Sequence, residues 1–197
     1  MIEDGLLTNS QFEELLAEYQ ASNEIDDLNV ANEQNDMVEK LIHKFFHFDN
    51  SDMSGKIVAY LNLLFNDIVR FIGKDFTPLN PLMKSEYMTN YCVTQKDEGL
   101  LSFNSGVDMS KSVAIAFASR YAKEEFHEFD EYVKASIEDF LNLHNGLFNV
   151  NMSNEFSLEL NLCPPEVHEE ETLTNATKIY VFPIIFPFGT IHFLLEI

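Results

Sequence analysis

Two long apolar helical stripes, each followed by strand-like segments, constrain the fold of this 197-residue chain more than any other feature. The first stripe predicts a helix over about residues 54–72, which Gly73 ends, and the second predicts a helix over about 129–149. A shorter helix fits residues 109–125. Strands are predicted near residues 86–95, 99–106, 156–162, 177–186 and 190–196. Two halves built of a helix and then strands indicate an α+β fold in which long helices pack on a sheet.

The first part of the chain differs in composition from the rest. Residues 1–35 are polar and acidic, with a short helix predicted over 10–19. We interpret them as a partly disordered N-terminal segment or tether. A further helix is predicted over residues 36–47. The folded domain is therefore expected to span residues 36–197, with that helix as an N-terminal addition.

The acidic balance of the chain narrows the classes of partner. There are 33 Asp and Glu residues against 12 Lys and Arg, and the formal net charge of −21 repels nucleic acid and anionic membrane surfaces. No secretory leader or membrane-spanning run is recognisable, so a cytoplasmic location is expected. Cys92 and Cys163 are interpreted as buried thiols in or beside strands, in a reducing compartment, rather than as a disulfide.

An acid and an amide stand apart from the apolar stripe of the helix predicted over 129–149. At about 100° per residue, Asp139, Asn142 and Gly146 fall on the side opposite that stripe. Residues three apart are neighbours on a helix surface, so the acid and the amide are expected to point at solvent together, beside space that the glycine leaves. A strand-like segment follows, and Pro164 and Pro165 are expected to end it and to fix the loop over the pair. The stripe itself consists of Val133, Ile137, Phe140, Leu141 and Phe148.

This order of residues resembles the CheC/CheX/FliY family of bacterial chemotaxis phosphatases, and a CheX-like domain in particular. The family signature is a Glu, an Asn three residues later and a Pro at the end of the following strand. Asp139, Asn142 and Pro165 stand at the matching places. Residues 107–121 resemble the family's passage from strand to helix, and residues 183–193 resemble its last hairpin. The resemblance covers roughly residues 55–197 and implies two pseudo-symmetric halves, with long helices packed on a mixed or antiparallel sheet.

The resemblance also implies a reaction. Members of the family dephosphorylate the aspartyl phosphate of a CheY-type response-regulator receiver domain, in chemotaxis or two-component signalling. By that comparison, Asn142 positions the attacking water and Asp139 pairs with the receiver's conserved lysine. No cofactor of the chain's own is implied, because the phosphorylated receiver supplies the Mg²⁺. Single-motif CheX-like proteins pair through their sheets, so a homodimer is compatible with the resemblance.

Asp139 departs from the family signature, in which the acid is Glu. Its carboxylate reaches about 1.5 Å less far, which predicts either a closer-docked helix or a weaker contact with slower turnover. Glu138 does not substitute for it, because Glu138 lies four residues from Asn142 and is rotated about 100° from Asp139. The residues expected to shape the site are Glu138, Gly146, Pro164 and Pro165.

A faint internal repeat relates the two long helices at an offset of 80 residues. Residues 57–63 align with residues 137–143. Asn62 matches Asn142, whereas Ala59 takes the place of the acid. The alignment is compatible both with a true duplication and with chance similarity between short apolar helices. On the family comparison, the first half is a degenerate copy, and the chain carries one site.

Two other functions are compatible with the same residues. If the short acid leaves the site weak or inactive, the domain binds a receiver domain or another signalling protein without accelerating hydrolysis. Alternatively, the chain is an interaction domain of the same fold with an unrelated partner.

Other candidate sites are interpreted as structural. His43 and His47 have the spacing of metal ligands on a helix, but no third ligand is evident, so a helix surface is favoured. His144 falls on an apolar stripe and is interpreted as a core histidine. The acidic cluster of residues 168–171 is expected to form a loop between strands.

Overall fold

The first long helix is found where the sequence predicts it. In the computed structural model, which describes residues 52–100 and 102–196, helix α1 covers Asp52–Asp67 and continues as a π-helical segment, Ile68–Ile72. Gly73 ends it with a φ of 141°, a backbone conformation that residues with a Cβ rarely adopt, and its N–H donates to the carbonyl of Ile68.

Two further helices follow in the second half of the described chain. Helix α2 covers Lys111–Ala122, and the Ser110 side chain caps it by accepting from the N–H of Val113. Helix α3 covers Glu131–Phe156, and one Asp130 carboxylate oxygen accepts from two N–H groups of its first turn. Both starts are therefore encoded by capping residues at the positions where the apolar periodicity begins.

The described strands form one eight-stranded antiparallel sheet. Along its main path the order is β1-β7-β8-β4-β3-β5, while β2 also pairs with β7 and β6 also pairs with β3. The strands are β1 Thr77–Pro78, β2 Leu82–Met88, β3 Tyr91–Gly99, β4 Phe103–Met109, β5 Leu160–Leu162, β6 Glu166–Glu169, β7 Thr172–Phe186 and β8 Gly189–Glu196. The expectation of an α+β fold is confirmed, and the sheet is of the antiparallel kind.

The main core lies between the helices and one face of the sheet. Alternation along β3 decides which side chains enter it, because successive residues of a strand point to opposite faces. Tyr91 and Val93 belong to this core, whereas Cys92 lies in a smaller cluster on the outer face. By the same alternation, Gln95 and Asp97 face the helices, and both are buried.

Some sequence expectations about boundaries were wrong, and others fall outside the described residues. Helix α3 continues to Phe156 instead of ending near residue 149, so the start of the segment read as a strand is helical. His168 and Glu169 lie in β6 rather than in a loop, and only Glu170 forms the bend after it. The tether of residues 1–35, the helices over 10–19 and 36–47, and the pair His43 and His47 lie outside the described residues. Within residues 52–100 and 102–196, no helix is both long enough and apolar enough to cross a membrane.

Candidate functional site

Helix α3 presents the acid–amide pair as the sequence predicts. Asp139 and Asn142 are exposed, while every residue of the predicted stripe is buried against the sheet and the other helices. Phe140 lies between the two polar residues in sequence and packs edge-on against Phe117 of α2, with ring centroids 5.2 Å apart. The apolar face therefore fixes the rotation of the helix, and that rotation places the acid and the amide at the surface.

The carboxylate of Asp139 has a hydrogen-bond partner on the neighbouring helix. The hydroxyl of Tyr121, near the end of α2, donates to Oδ2 of Asp139 over 2.6 Å. Partial burial raises the pKa of Tyr121, and its bond to the Asp139 carboxylate adds to the rise. The phenol therefore stays protonated at neutral pH and acts as the donor.

The amide of Asn142 accepts a hydrogen bond from a residue of the sheet. Gln95, on β3, is 1% exposed, and its Nε2 donates to Oδ1 of Asn142 over 2.9 Å. The same Nε2 donates to the backbone carbonyl of Cys163, also over 2.9 Å. An exposed side chain is thus connected to a buried one and, through it, to the loop that precedes the two prolines.

A buried polar network continues from Gln95 into the core. Asn145, one helical turn beyond Asn142, donates from Nδ2 to Oε1 of Gln95 over 2.9 Å and to Oγ of Ser105 over 2.8 Å. The hydroxyl of Tyr60, from α1, donates to Oδ1 of Asn145 over 3.4 Å. Every group in this network is neutral at pH 7, which avoids the cost of burying a charge.

A concave surface of about 720 Å³ adjoins the pair. Asp139, Asn142, Glu138 and Pro165 line it, together with aromatic side chains from the α2 end and the start of α3. Its charged groups are all acids, so it attracts a basic partner surface. The complete lining is Tyr121, Ala122, Glu124, Phe126, Tyr132, Ala135, Ser136, Glu138, Asp139, Asn142 and Pro165. We call this surface the concavity.

The structure separates some of the residues that the sequence grouped. Pro164 lines a different pocket, of about 490 Å³, with Lys96 and Glu98, so only Pro165 borders the concavity. Gly146 has open space where a Cβ would stand but is not part of the lining. Asn62 and Ala59 lie on α1 and are half-buried, away from the concavity.

His144 is buried, as predicted, but only one of its ring nitrogens has a partner. Nδ1 lies 2.8 Å from Oδ2 of the buried Asp67, whereas Nε2 has no hydrogen-bond partner within the described residues. The ring packs edge-on against Tyr60, with centroids 4.6 Å apart. His144 therefore joins α3 to α1 and does not face the concavity.

The two cysteines have different environments. Both are free thiols; Cys92 is buried, and burial is the main cause of the upward shift of its pKa. Cys163 is only half-buried, which corrects the expectation that both thiols are buried.

Sequence reasoning missed Gln95, Asn145 and Tyr121. A signal for Gln95 exists in the strand pattern, because it occupies an inward position two residues after Val93, where an apolar side chain is usual. Asn145 likewise stands one turn beyond Asn142 but on the buried side of α3. Their pairing depends on strand and helix meeting in space, which periodicity alone does not show.

Comparisons with known proteins were made on sequence and on structure. No protein-family model matches the chain, and no significant match is found among curated proteins. Among solved structures, a CheC-like superfamily protein from Shewanella sp. PV-4 has a TM-score of 0.62 at 15% identity, covering 72% of this chain and 96% of that one.

Two further solved structures show the same likeness. The chemotaxis protein CheX from Desulfovibrio desulfuricans has a TM-score of 0.60 at 14% identity, covering 72% of this chain and 97% of that one. A complex of CheX with CheY, BeF3 and Mg²⁺ from Borrelia burgdorferi matches with a TM-score of 0.60 at 17% identity, covering 72% of this chain and 96% of that one. The resemblance first noted on the acid, the amide and the proline therefore extends to the arrangement of helices and strands, and the chain has the CheC/CheX-like fold.

Proposed function

We propose that this protein dephosphorylates the aspartyl phosphate of a CheY-type receiver domain and so damps a chemotaxis or two-component signal. The observation that carries the proposal is the exposed pair Asp139 and Asn142 at the edge of the concavity, with the amide already held in place by Gln95. The solved complex of CheX with CheY, which has the same fold, supports the choice of a receiver as the partner.

Hydrolysis of an aspartyl phosphate requires few catalytic groups from the phosphatase. An acyl phosphate is an activated compound, so hydrolysis requires a water held in line with the phosphorus rather than a protein nucleophile. The carboxamide of Asn142 suits that role, because it accepts and donates hydrogen bonds without titrating at neutral pH. An amide that is fixed before docking loses less conformational entropy when the partner binds.

Mg²⁺ enters this proposal with the receiver. Within the described residues there is no cluster of three His, Cys, Asp or Glu side chains suited to hold a metal ion. When bound on the receiver, the ion neutralises charge on the phosphoryl oxygens. In this proposal the residues of this chain position the water and contact the receiver's lysine.

Asp139 is assigned to the receiver's lysine. Its exposure and the acidic lining of the concavity favour contact with an ammonium group. Tyr121 already occupies Oδ2, so a docking lysine meets a carboxylate with one oxygen engaged and a side chain shorter than Glu. Homodimerisation and a cytoplasmic location belong to the same proposal.

The hydrogen bond from Tyr121 also favours a second candidate. A carboxylate that is short and held back toward α2 makes a weaker contact with a lysine, and a domain of that kind binds a receiver without accelerating its dephosphorylation. The two candidates differ in rate and not in partner.

The deciding experiment follows the loss of the phosphoryl group from a phosphorylated, Mg²⁺-bound CheY-type receiver of the same organism, with and without this protein. We expect catalytic acceleration by the wild type, and a loss of about 100-fold in Asn142→Ala, because removal of a positioning group costs about that much. Asn62→Ala is the matched control and should keep the rate within about twofold, since Asn62 does not line the concavity. Receiver binding without acceleration would favour the second candidate, and the absence of both would reject a receiver as partner.

A further inference from the structure

A single buried glutamine determines which way the amide of Asn142 faces. The backbone carbonyl of Cys163 can only accept a hydrogen bond, so the group of Gln95 that lies 2.9 Å from it must be the Nε2 donor. That same Nε2 lies 2.9 Å from Asn142, whose facing atom must therefore be the acceptor Oδ1. The orientation of an exposed amide is thus fixed by a chain of donors and acceptors that begins at the backbone.

The side-chain oxygen of Gln95 is hydrogen-bonded as well as its nitrogen. Its Oε1 accepts from Nδ2 of Asn145 over 2.9 Å, and Asn145 is completely buried, with further bonds to Ser105. Turning Gln95 over would set its oxygen against the Cys163 carbonyl and its NH2 group against the NH2 group of Asn145. Both ends would then lose buried hydrogen bonds, which is costly.

We propose that Gln95 is a positioning residue for the dephosphorylation reaction, a role that rests on the proposed function. It holds Oδ1 of Asn142 toward the sheet and leaves Nδ2, which has no partner among the described residues, to face the docked receiver. One lone pair of Oδ1 accepts from Gln95, and the other remains to accept a hydrogen bond from the attacking water, which it orients without taking its proton. The amide therefore offers a docked receiver donors at Nδ2 and an acceptor at Oδ1 in one fixed orientation.

The inference is tested first on the wild-type protein, without a partner. The side-chain NH2 resonances of Asn142 are assigned by their disappearance in Asn142→Ala, and their ¹⁵N order parameter is measured. A held amide should give a value near 0.8, against less than about 0.6 for the exposed Asn154 on the same helix. Equal mobility of the two side chains would overturn the proposal, whatever the enzyme activity.

The second arm removes the hydrogen bonds of Gln95 and keeps its length. Gln95→Met should lower the order parameter of Asn142 to that of Asn154. It should reduce kcat for receiver dephosphorylation by about tenfold, with KM unchanged within twofold, because a loosened amide still permits docking. Thr94→Val is the matched control: Thr94 is the neighbour of Gln95 on β3, its hydroxyl pairs with His168, and it does not line the concavity.

The outcomes separate this inference from the proposed function. A rigid Asn142 amide in a wild-type protein that does not accelerate receiver decay rejects the proposed function, and with it the catalytic role of Gln95. Acceleration that Asn142→Ala removes but Gln95→Met leaves intact overturns the role of Gln95 alone. A rise in KM at constant kcat would also overturn it, because Gln95 would then serve docking. If Gln95→Met does not fold, the wild-type order parameter still decides whether the amide is held.

Discussion

Helices α1 and α3 bury similar apolar stripes but differ at the positions next to them. Ile57, Tyr60 and Leu61 of α1 are buried, as are Ile137, Phe140 and Leu141 at the aligned positions of α3. One turn further, α1 places Leu64 and Phe65 in the core, whereas α3 places His144 and Asn145 there. At these positions α1 therefore contributes apolar packing, whereas α3 contributes polar side chains that form hydrogen bonds with the sheet and with α1.

The two asparagines illustrate the consequence. Asn142 is exposed and its Oδ1 is held by Gln95. Asn62 is half-buried, and its Oδ1 has no hydrogen-bond partner within the described residues. Ala59 packs against the core where its counterpart Asp139 faces solvent. The aligned positions of α1 thus lack the acid, the exposure and the support that make those of α3 a candidate site.

The largest effect on stability is expected for a buried apolar residue of α1 that has no contact with the candidate site. Phe65 is buried and packs against Phe76, with ring centroids 5.7 Å apart, so Phe65→Ala should lower the free energy of unfolding by about 3–4 kcal/mol. At the aligned position of α3, Asn145→Ala should cost about 1–2 kcal/mol, because it leaves Gln95 and Ser105 with fewer partners. Chemical denaturation of both variants measures the difference. Equal losses would show that the polar network stabilises the fold as much as the apolar packing does.

Further along α3, Asn149 contacts a buried acid of the sheet. Asp97 of β3 is buried, accepts from Asn149 over 2.6 Å, and has an Oδ2 with no partner within the described residues. Burial raises the pKa of Asp97 from 3.8 to about 6, despite the hydrogen bond from Asn149, which opposes the rise. The folded state binds the proton of Asp97 more tightly than the unfolded state, so the contribution of Asp97 to stability is greatest below about pH 4 and is lost as pH rises through about 6.

Asp97→Asn should remove this dependence. At pH 8 the variant should be about 3 kcal/mol more stable than the wild type, because no charge is buried, and near pH 3.5 the two should be equal. Denaturation at a series of pH values gives the comparison directly. A difference that does not change with pH would mean that the carboxylate of Asp97 is not penalised by burial.

Placing an acid on α1 should not create a site there. Ala59→Asp recreates the spacing of acid and amide with Asn62, but its carboxylate enters a half-buried position against the core and should cost about 1–2 kcal/mol of stability. In an Asn142→Ala background, it should give no acceleration of receiver decay. Acceleration in that double variant would show that α1 keeps a competent second site.

The apolar pattern of the sequence was sufficient to predict the described helices and the face that each of them buries. Val133, Ile137 and Phe140 repeat at helical spacing, and this alone placed Asp139 and Asn142 at the surface. The end of α3 was missed because residues 149–156 are mostly polar, and helical structure there follows from contacts such as that of Asn149 with Asp97. Propensity yields to tertiary contacts at such positions.

The residues that hydrogen-bond to the acid–amide pair are brought to it by tertiary contacts, which local sequence patterns do not show. Gln95 and Asn142 are 47 residues apart and meet only because α3 crosses the face of β3. Tyr121 meets Asp139 because α2 and α3 pack side by side. The pair itself was predictable from one helix and one resemblance, whereas the residues that hold it required the whole fold.

The smallest effect, and the sharpest test of the short acid, concerns Tyr121. Tyr121→Phe removes the donor to Oδ2 of Asp139 and should lower KM for the phosphorylated receiver by about two- to threefold, because the carboxylate becomes free to meet a lysine. The aromatic ring still packs against Phe140, so stability should change by less than about 1 kcal/mol.

Asp139→Glu provides the matched measurement, since a longer acid should gain the same contact with the hydroxyl still present. If both changes lower KM and their effects do not add, the hold of Tyr121 and the length of Asp139 limit one and the same contact. If Tyr121→Phe raises KM instead, the hydroxyl presents the carboxylate to the receiver. The difference between α1 and α3 would then include an aromatic residue of α2 as part of the site.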